Sequence, residues 1–464
     1  MPKRHMQGSL RLLDMFHSGM SSISDPDSEL GTDQMAVAVS CCRAVIESAT
    51  SAEGCIAITL GNKVSDVVLL LAILAADRSC ALLPSGAVAS DAPAFCTTMA
   101  FGAKQPEGQP ELVGIADGPE MPPGTVCLRS SGSTGKAKWV LHRSDNLLAN
   151  AEMCRTRFCL SSSDRLLLPV PIHHMFGFAA ALLPGLLARA HICLVPRGTP
   201  LDILKAERAS DPTMAFLVPS QCRSLAKLRR GGRKYRATVV AGDRLAPDEA
   251  AAHEAMYGPI LELYGSTECG SIAAQSAGAD RMPQRYGLMP LMPGVEVRTD
   301  NQSTTPVPLC VRHPAGATGY IDDTGTVSEA QADWHTGDIG HLHPDGMLEV
   351  TGRADHSVKR DGMMVHFSQI EACLMSNALV RTAVVVAVGK TRRGSALVAF
   401  CAVQNVAEDL SKTLREHCKG NLPSRAVPDL VVVRSALPFL PSGKPDRTKL
   451  AQEAERIVDT PAQG

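Results

Sequence analysis

Residues 128–138 read LRSSGSTGKAK, a run that places small hydroxyl side chains and glycines in front of two lysines. The hydroxyls can donate hydrogen bonds to phosphate oxygens, the glycines let backbone N–H groups turn toward an anion, and the last lysine adds positive charge. The residues concerned are Ser130, Ser131, Gly132, Ser133, Thr134, Gly135 and Lys138. The run therefore predicts a loop that holds a polyphosphate.

This loop is not a P-loop of the form G-x-x-x-x-G-K-[ST]. Gly135 and Lys136 fit the end of that pattern, but position 130 is serine and position 137 is alanine. The anion-binding chemistry of the side chains does not depend on that motif. The rest of the chain therefore has to indicate which phosphate compound is bound.

The composition is that of a globular protein with more than one domain, since 464 residues are too many for one compact core. The formal net charge of -1 gives no field that would attract nucleic acid or an anionic membrane. The longest apolar run, VVLLLAILAA at 67–76, falls well short of the roughly 20 residues that a membrane span needs, and it predicts a buried helix. The N-terminal residues show no secretion signal. We expect a cytoplasmic protein with no membrane span and no nucleic-acid partner.

The fifteen cysteines are scattered through apolar contexts and form no C-x-x-C pair. A zinc site needs cysteine or histidine partners at suitable spacing, and the sequence offers none beside Cys41 and Cys42. The pattern predicts reduced thiols in the core.

The chain divides into two regions of different pattern. From about residue 35 to 300, helical stretches alternate with short β-rich runs such as GCIAITL and ATVVAG, which is typical of an α/β domain. After residue 353 the order changes to a loop, a helix near 368–377, two long strands and a second helix. We therefore predict a large N-terminal domain, residues 1–354, and a small α+β domain, residues 355–464.

The second helix of the small domain has recognisable end signals. Asn405 is expected to cap it, and Val406, Leu410 and Leu414 recur at helical spacing. Gly420 is expected to end it.

Five segments of this chain together resemble the adenylate-forming superfamily, which includes acyl-CoA and aryl-CoA ligases, the adenylation domains of peptide synthetases, and luciferases. They follow the family's order: SSGSTGKAK (130–138), PIHHMFG (171–177), LYGSTECGS (263–271), WHTGDIGHLHPDGMLEVTGRADHSVKRDG (334–362) and LPSGKPDR (440–447). The resemblance implies an α/β fold, in which a large N-terminal domain of α/β subdomains with a small β-barrel-like part precedes a mobile small C-terminal α+β domain.

The segment YGSTE also makes chemical sense by itself. Tyr264 can lie flat against a purine, and Gly265 lets the backbone approach it. Thr267 can donate to a phosphate, and Glu268 is a hard oxygen ligand suited to Mg²⁺. We interpret Thr267 and Glu268 as catalytic residues and Glu268 as the metal ligand.

Asp338 and Arg353 form a second pair of candidates. The Asp338 carboxylate can accept from both ribose hydroxyls, and Arg353 can donate to the same sugar or to phosphate. An isolated aspartate and arginine more often form a structural salt bridge. Their position just before the predicted domain boundary favours the nucleotide.

The resemblance assigns roles to further residues. It implies that Gly242 and Asp243 form a wall of the adenine and acyl pockets and that His174 is a catalytic residue at a gate beside the acyl pocket, whereas His173 is as readily structural. The acyl pocket implied in this way comprises His174, Phe176, Gly177, Gly242 and Gly265.

Three residues near the C-terminus also take their roles from the resemblance alone. Lys444 is implied to stabilise the charge that develops on the α-phosphate and on the attacking carboxylate. Asp355 is the implied hinge of the small domain, and Gly362 is implied to let a thiol-bearing arm pass.

The implied reaction joins an organic acid to a thiol. The acid is first activated with Mg-ATP as an acyl-adenylate, and the acyl group then passes to CoA or to the phosphopantetheine arm of an acyl or peptidyl carrier protein. Because no aspartate or glutamate occurs between Pro169 and Arg189, we expect a small-molecule acyl or aryl acid rather than a typical amino acid. The alternatives are a catalytically silent nucleotide-binding protein and an adenylation enzyme for an unusual amino acid.

Overall fold

The structure is a computed structural model. It describes residues 21–115, 117–130, 138–228, 235–278, 286–298, 307–322, 325–354, 356–360, 363–391, 394–407, 409–440 and 445–459. Over these ranges helices and strands alternate along most of the chain, as the sequence pattern predicts.

The described α-helices lie between the strands and at the C-terminal end. They are α1 (Thr32–Ala49), α2 (Val64–Ala75), α3 (Ser144–Arg157), α4 (Leu183–Leu187), α5 (Pro200–Ser210), α6 (Pro219–Leu228), α7 (Pro247–Tyr257), α8 (Phe367–Met375), α9 (Leu410–Asn421) and α10 (Arg447–Asp459). A π-helical turn, Phe176–Leu182, leads into α4, and short 3-10 turns cover Ala89–Asp91 and Ser424–Ala426.

The strands are short in the first half of the chain and reach twelve residues near its end. The first are β1 (Ile23–Ser24), β2 (Glu29–Leu30), β3 (Cys55–Leu60), β4 (Ser79–Pro84), β5 (Thr98–Phe101), β6 (Glu111–Gly114), β7 (Thr125–Arg129), β8 (Trp139–Arg143), β9 (Arg165–Leu168), β10 (His191–Leu194), β11 (Met214–Leu217), β12 (Ala237–Ala241), β13 (Ile260–Ser266) and β14 (Gly270–Ala274). They are followed by β15 (Leu288–Pro290), β16 (Glu296–Arg298), β17 (Val307–Arg312), β18 (Gly319–Ile321), β19 (Val327–Glu329), β20 (Trp334–Leu342), β21 (Met347–Arg353), β22 (Ser357–Arg360), β23 (Met363–His366), β24 (Val380–Thr391), β25 (Gly394–Val403) and β26 (Leu430–Arg434).

The chain divides into two compact units. The first comprises the described residues of Met1–Arg298 with Cys310–Trp334 and His343–Leu348, and the second comprises those of Thr299–Leu309, His335–Leu342 and Glu349–Gly464. The boundary predicted at 354/355 stays a prediction, because Asp355 lies outside the described residues.

Two eight-stranded sheets form the framework of the first unit. One has the order β14-β13-β12-β11-β9-β10-β1-β2, and the other has the order β19-β18-β8-β7-β4-β3-β5-β6. In the first sheet β9, β11, β12 and β13 run parallel, so their carboxyl ends meet at the same edge. Parallel α/β sheets place their ligands at that edge.

Helix α2 carries the longest apolar run of the sequence into the core of the first unit. Eleven of its twelve residues are buried, including the apolar run from Val67 to Ala75, so the run is a core helix as predicted. Within the described ranges, no helix has both the length and the apolar character that a bilayer span requires.

All fifteen cysteines are free thiols and all lie in the described ranges. Eleven are buried, as expected for core residues. Cys55 and Cys96 lie in the same apolar cluster with their sulfur atoms 3.7 Å apart.

The second unit contains a mixed, mainly antiparallel sheet with helices packed against it. Strands β24 and β25 form a long hairpin, β22 pairs with β25 on one side, and β26 runs parallel to β25. Helices α8 and α9 contribute Ile370, Leu374 and Leu414 to its core, each fully buried.

The predicted start of α9 is wrong. The helix begins at Leu410 with Asp409 at its N-cap, so Asn405 lies outside it. Val406 is 59% exposed and does not belong to the apolar face, although its spacing fits that face. The helix also continues through Gly420 to Asn421 before Leu422 becomes extended.

Arg360 is a buried residue of the second unit that forms an ion pair with a more exposed aspartate, and this pair generates a stability prediction. The residue is 0% exposed, while the Asp429 carboxylate 2.9 Å away is 38% exposed. Arg360 also donates to the Val427 carbonyl, and Asp429 accepts from the Leu397 amide. Removal of the exposed partner would leave a charge buried without compensation.

We expect Asp429→Ala to lower the free energy of unfolding by about 3–5 kcal/mol, because it leaves the buried guanidinium unpaired. Arg360→Met, which removes the buried charge and keeps the volume, should cost less than about 1.5 kcal/mol. Urea denaturation followed by circular dichroism measures both, with Asp429→Asn as the comparison that keeps the side-chain shape and one acceptor oxygen but removes the negative charge. Equal losses in the alanine and methionine variants would contradict this account.

Candidate nucleotide and acid site

Most of the predicted site residues of the first unit follow the carboxyl ends of parallel strands. Gly242 and Asp243 come directly after β12, and Tyr264 and Gly265 lie in the last part of β13. Because Ala241 pairs with Leu263 across these strands, the two segments are neighbours. The segment 169–177 follows β9 at the same edge. The sheet therefore brings two of the five segments, 171–177 and 263–271, to one edge together with Gly242 and Asp243.

Gly265 is required by its surroundings. A Cβ atom at this position would lie 2.2 Å from the Gly270 carbonyl oxygen, which is a backbone atom and cannot move aside. The register of β13 and β14 shifts between Tyr264 and Gly265, so the hairpin carries a bulge here. The bulge turns the chain at the start of the segment that holds Thr267 and Glu268.

The turn that holds Thr267 and Glu268 is fixed through its backbone. The Nε2–H group of His142 donates to the Thr267 carbonyl over 2.7 Å, and the Ala317 amide donates to the Glu268 carbonyl over 2.7 Å. Ser266 Oγ accepts from the Cys269 amide. Strand β8, which carries His142, belongs to the second sheet. The turn therefore joins the two sheets of the first unit.

His142 performs this role as a neutral ring. It is 1% exposed, and burial lowers the pKa of its imidazole from 6.5 to about 4. The hydrogen bond to Thr267 opposes this shift only in part. At neutral pH the site therefore contains a hydrogen-bond donor here and no charge.

Lys138, Glu268 and Tyr320 form a group at this turn. The Tyr320 hydroxyl donates to Glu268 Oε1 over 3.4 Å, and the Lys138 ammonium lies 5.3 Å from the centre of the Tyr320 ring. Ser130, 8% exposed at the end of β7, donates its amide to the Lys138 carbonyl. The structure thus brings together the predicted metal ligand and the predicted phosphate-loop lysine around one aromatic ring.

The segment 171–177 is held by backbone contacts and by one buried asparagine. Asn62 donates to the carbonyls of Leu168 and Val170 and accepts from the Ile172 amide. Gly177 lies so close to this segment that a Cβ atom would be 2.2 Å from the Pro171 oxygen. The predicted acyl-pocket segment is therefore rigid.

The rings in this segment differ in environment. His173 and His174 lie with ring centroids 4.2 Å apart, and burial lowers the pKa of His173 to about 3. The backbone at Leu60 opposes this lowering of the His173 pKa only in part, and the burial of the ring fits a structural role. Phe176 lies 6.2 Å from the ring of Phe216 on β11. The role of His174 as a gate stays a prediction.

Asp338 and Arg353 lie together in the second unit. They form an ion pair at 3.3 Å, and Arg353 also donates to the Thr336 carbonyl. Gly337 has φ +73°, and a side chain there would meet the Arg353 guanidinium at 2.9 Å. The pair is thus set by β20 and β21, and its role toward a nucleotide stays a prediction.

Several predicted site residues lie outside the described residues. They are Ser131, Gly132, Ser133, Thr134 and Gly135 of the phosphate loop, the hinge Asp355, the thiol-channel Gly362 and the catalytic Lys444. Their roles stay predictions.

Sequence reasoning missed the residues that support the site from behind. His142, Asn62 and Tyr320 stand in no motif, and single polar residues on short strands give no signal of their partners. The one usable sign was their presence within apolar stretches such as WVLHR, where a buried polar group needs a hydrogen-bond partner.

Two family models match this chain. The model of AMP-binding enzymes matches residues 125–321, and the model of the AMP-binding enzyme C-terminal domain matches residues 369–444. Together they cover more than half of the sequence. They include the phosphate loop, the YGSTE segment and Lys444.

Curated relatives match at about a quarter identity. Acyl-CoA synthetase ALT10 of Alternaria alternata is 25% identical over 369 residues, which are 71% of this chain and 65% of that protein. Bacitracin synthase 1 of Bacillus licheniformis is 26% identical over 355 residues, which are 70% of this chain and 7% of that protein. The chain therefore spans less than two thirds of the length of either relative.

Solved structures show the same fold. ATP-bound MatB from Rhodopseudomonas palustris has a TM-score of 0.85 and 20% identity, over 98% of this chain and 100% of that one. The prediction of a mixed α/β fold, with a large N-terminal and a small C-terminal domain, is confirmed.

The buried His142 predicts a pH dependence of stability. Between pH 6.5 and about 4 the unfolded chain binds a proton at this ring and the folded chain does not, so the folded state loses stability as the pH falls. His142→Gln keeps a donor for the Thr267 carbonyl and cannot titrate. Relative to this variant, the wild type should lose about 2 kcal/mol of unfolding free energy between pH 7 and pH 4.5.

Urea denaturation at several pH values tests this expectation, with the exposed His335→Gln as the matched control. Parallel loss of stability in the wild type and in His142→Gln would show that the ring does not titrate in this window.

Proposed function

Because this chain belongs to the adenylate-forming superfamily of AMP-binding enzymes, we propose that it uses ATP to activate a carboxylic acid and then transfers the acyl group to a thiol. The observation that carries the proposal is that Lys138 and Glu268 both contact Tyr320 in the first unit, and that Glu268 is adjacent in sequence to Thr267. These side chains offer a cation, a hydroxyl and a carboxylate, which are the groups that a metal-bound triphosphate needs.

The first half-reaction forms an acyl-adenylate. A carboxylate oxygen of the acid attacks the α-phosphorus of ATP, the bond from that phosphorus to the bridging oxygen breaks, and pyrophosphate leaves. Lys138, Thr267 and the hydroxyls of the phosphate loop hold the phosphates in line, and Lys444 stabilises the charge that develops on the α-phosphate. No protein nucleophile is needed.

Magnesium fits the donor set at the turn. Mg²⁺ is commonly bound by one or two carboxylates together with substrate phosphates, and Glu268 supplies a carboxylate beside the lysine that would hold those phosphates. When bound, the ion neutralises phosphate charge. The role of the protein in metal binding is to hold the Glu268 carboxylate in position.

The second half-reaction transfers the acyl group. The thiol sulfur attacks the acyl carbonyl carbon, the bond from that carbon to the AMP oxygen breaks, and the thiol proton is released as the thioester forms. We propose CoA as the acceptor, since relatives that match over most of this chain are named acyl-CoA synthetase or CoA ligase. The phosphopantetheine of a carrier protein is the alternative acceptor.

The acid is proposed to be an acyl or aryl acid without an ammonium group. The acyl-pocket segment offers the rings of His174 and Phe176 and no carboxylate that would pair with an ammonium group. We propose that Gly177, Gly242 and Gly265 leave room for the acyl chain beside them. A cytoplasmic location is part of this proposal.

A pyrophosphate-exchange assay with a panel of acids tests the activity. We expect exchange with at least one acyl or aryl acid and, by mass spectrometry, a thioester with CoA or with a holo carrier protein. Exchange with amino acids alone would support an amino-acid adenylation enzyme. ATP binding without any exchange would support a catalytically silent protein.

Lys444→Ala should lower this exchange by about 10²–10³-fold and leave the affinity for ATP nearly unchanged, because the lysine acts on charge that develops during the reaction. Lys449→Ala, an exposed lysine five residues further on, is the matched control. Near-normal exchange in the Lys444 variant would remove this assignment.

Asp355→Pro tests the proposed hinge, since proline fixes φ near -65°. We expect one half-reaction to be impaired at least tenfold more than the other, measured separately as pyrophosphate exchange and as thioester formation from isolated acyl-adenylate. Asp355→Ala, which keeps φ free, should impair neither selectively. Equal effects of proline on both half-reactions would count against a hinge.

A further inference from the structure

We propose that Tyr320 is a positioning residue that holds both the metal-ligand carboxylate of Glu268 and the phosphate-binding ammonium of Lys138. The inference rests on the proposed function, because it assigns Glu268 to the metal ion and Lys138 to ATP. Tyr320 itself acts through these two side chains. It stands in none of the segments that the sequence singled out.

The hydroxyl of Tyr320 forms a hydrogen bond with the Glu268 carboxylate. It donates to Oε1 over 3.4 Å, which is long for an O–H···O bond. Such bonds are often long before the substrate binds and shorten in the complex. A donor on one oxygen restrains rotation of the carboxylate and leaves its other oxygen to face a cation.

The aromatic ring of Tyr320 contacts the ammonium group of Lys138. The ammonium lies 5.3 Å from the ring centroid, within the range of a cation–π interaction. Lysine has a flexible four-carbon side chain, so an aromatic face reduces the number of positions it occupies. Because one residue makes both contacts, the cation and the carboxylate are placed relative to each other.

The backbone around Tyr320 makes this placement rigid. Tyr320 pairs with Val140 in the ladder of β18 and β8, and Lys138 immediately precedes β8. The Ala317 amide, three residues before Tyr320, donates to the Glu268 carbonyl. The ring of Trp334 packs edge-on against Tyr320 with centroids 5.5 Å apart. Tyr320 is therefore fixed to the segments that carry both of its partners.

The hydroxyl stays protonated under the conditions of the reaction. A tyrosine hydroxyl has an ordinary pKa of about 10, so it carries its proton at neutral pH. A protonated phenol can donate to a carboxylate, whereas a phenolate would repel it. The contact is thus available at neutral pH.

The two contacts have separable consequences. Tyr320→Phe removes the hydroxyl and keeps the ring, so it should affect only the contribution of the metal ion. Tyr320→Leu removes the hydroxyl and the aromatic face that contacts Lys138. It should therefore also weaken the binding of ATP phosphates by Lys138 when no metal is present. Both variants keep an apolar side chain in β18.

Isothermal titration calorimetry of the full chain with ATP, once with magnesium chloride and once with EDTA, measures both effects. For Tyr320→Phe we expect the dissociation constant to rise about tenfold with magnesium and to stay within about twofold of the wild type in EDTA. For Tyr320→Leu we expect an additional rise of about threefold in EDTA. Circular dichroism checks that each variant is folded.

Tyr286→Phe is the matched control, because its hydroxyl also donates to a glutamate, Glu254, over 2.6 Å in the same unit. This variant should bind ATP like the wild type in both media. If Tyr320→Phe is unchanged with magnesium, or is weakened equally in both media, the positioning role is overturned while the proposed function stands. A wild type that binds no ATP would overturn both.

Discussion

The close approach of Gly265 to the Gly270 carbonyl is the constraint on which the site depends. No side chain fits between them, so the hairpin of β13 and β14 can close only around glycine. The bulge that results sets the direction of the following turn, which carries Thr267 and Glu268. His142 donates to the Thr267 carbonyl and Tyr320 donates to the Glu268 carboxylate. Both hydrogen bonds therefore depend on the course of the backbone after Gly265.

The turn is supported by neutral groups and surrounded by charged ones. His142 and His313 are buried and bind carbonyls of Thr267 and Ser271, and Asn150 accepts from the Ser271 amide. Burial lowers the pKa of both histidines, so they contribute hydrogen bonds without charge. The charges of Lys138 and Glu268 lie where they are more exposed. This separation avoids the large cost of burying an ion and leaves the charged groups free to meet a ligand.

The sequence predicted the segments that carry the candidate site residues, but it did not predict the residues that hold these segments in place, such as His142, Asn62 and Tyr320. Parallel strands align their carboxyl ends, and this geometry brings Gly242 and Tyr264 to one edge. The sequence analysis assigned Gly242 through the family resemblance and Tyr264 through the chemistry of its segment. The contact of Tyr320 with Glu268 joins residues 52 positions apart, and no local pattern encodes it. The start of α9 was misplaced because helical spacing counts Val406 as apolar without showing that it faces solvent. Residues 131–137 and 441–444, where motif and chemistry agree most closely, lie outside the described residues.

The reactivity of the cysteine thiols distinguishes the folded chain from the unfolded one, because most of them are buried in the folded chain. In the folded chain only Cys41 and Cys159 are exposed, and Cys310 and Cys373 are half-buried. A maleimide therefore meets two exposed cysteines in the native protein and fifteen in the unfolded one. Unfolding in an oxidising medium would expose the eleven buried thiols, which form no disulfide in the folded chain. Non-native disulfides between them would then prevent refolding.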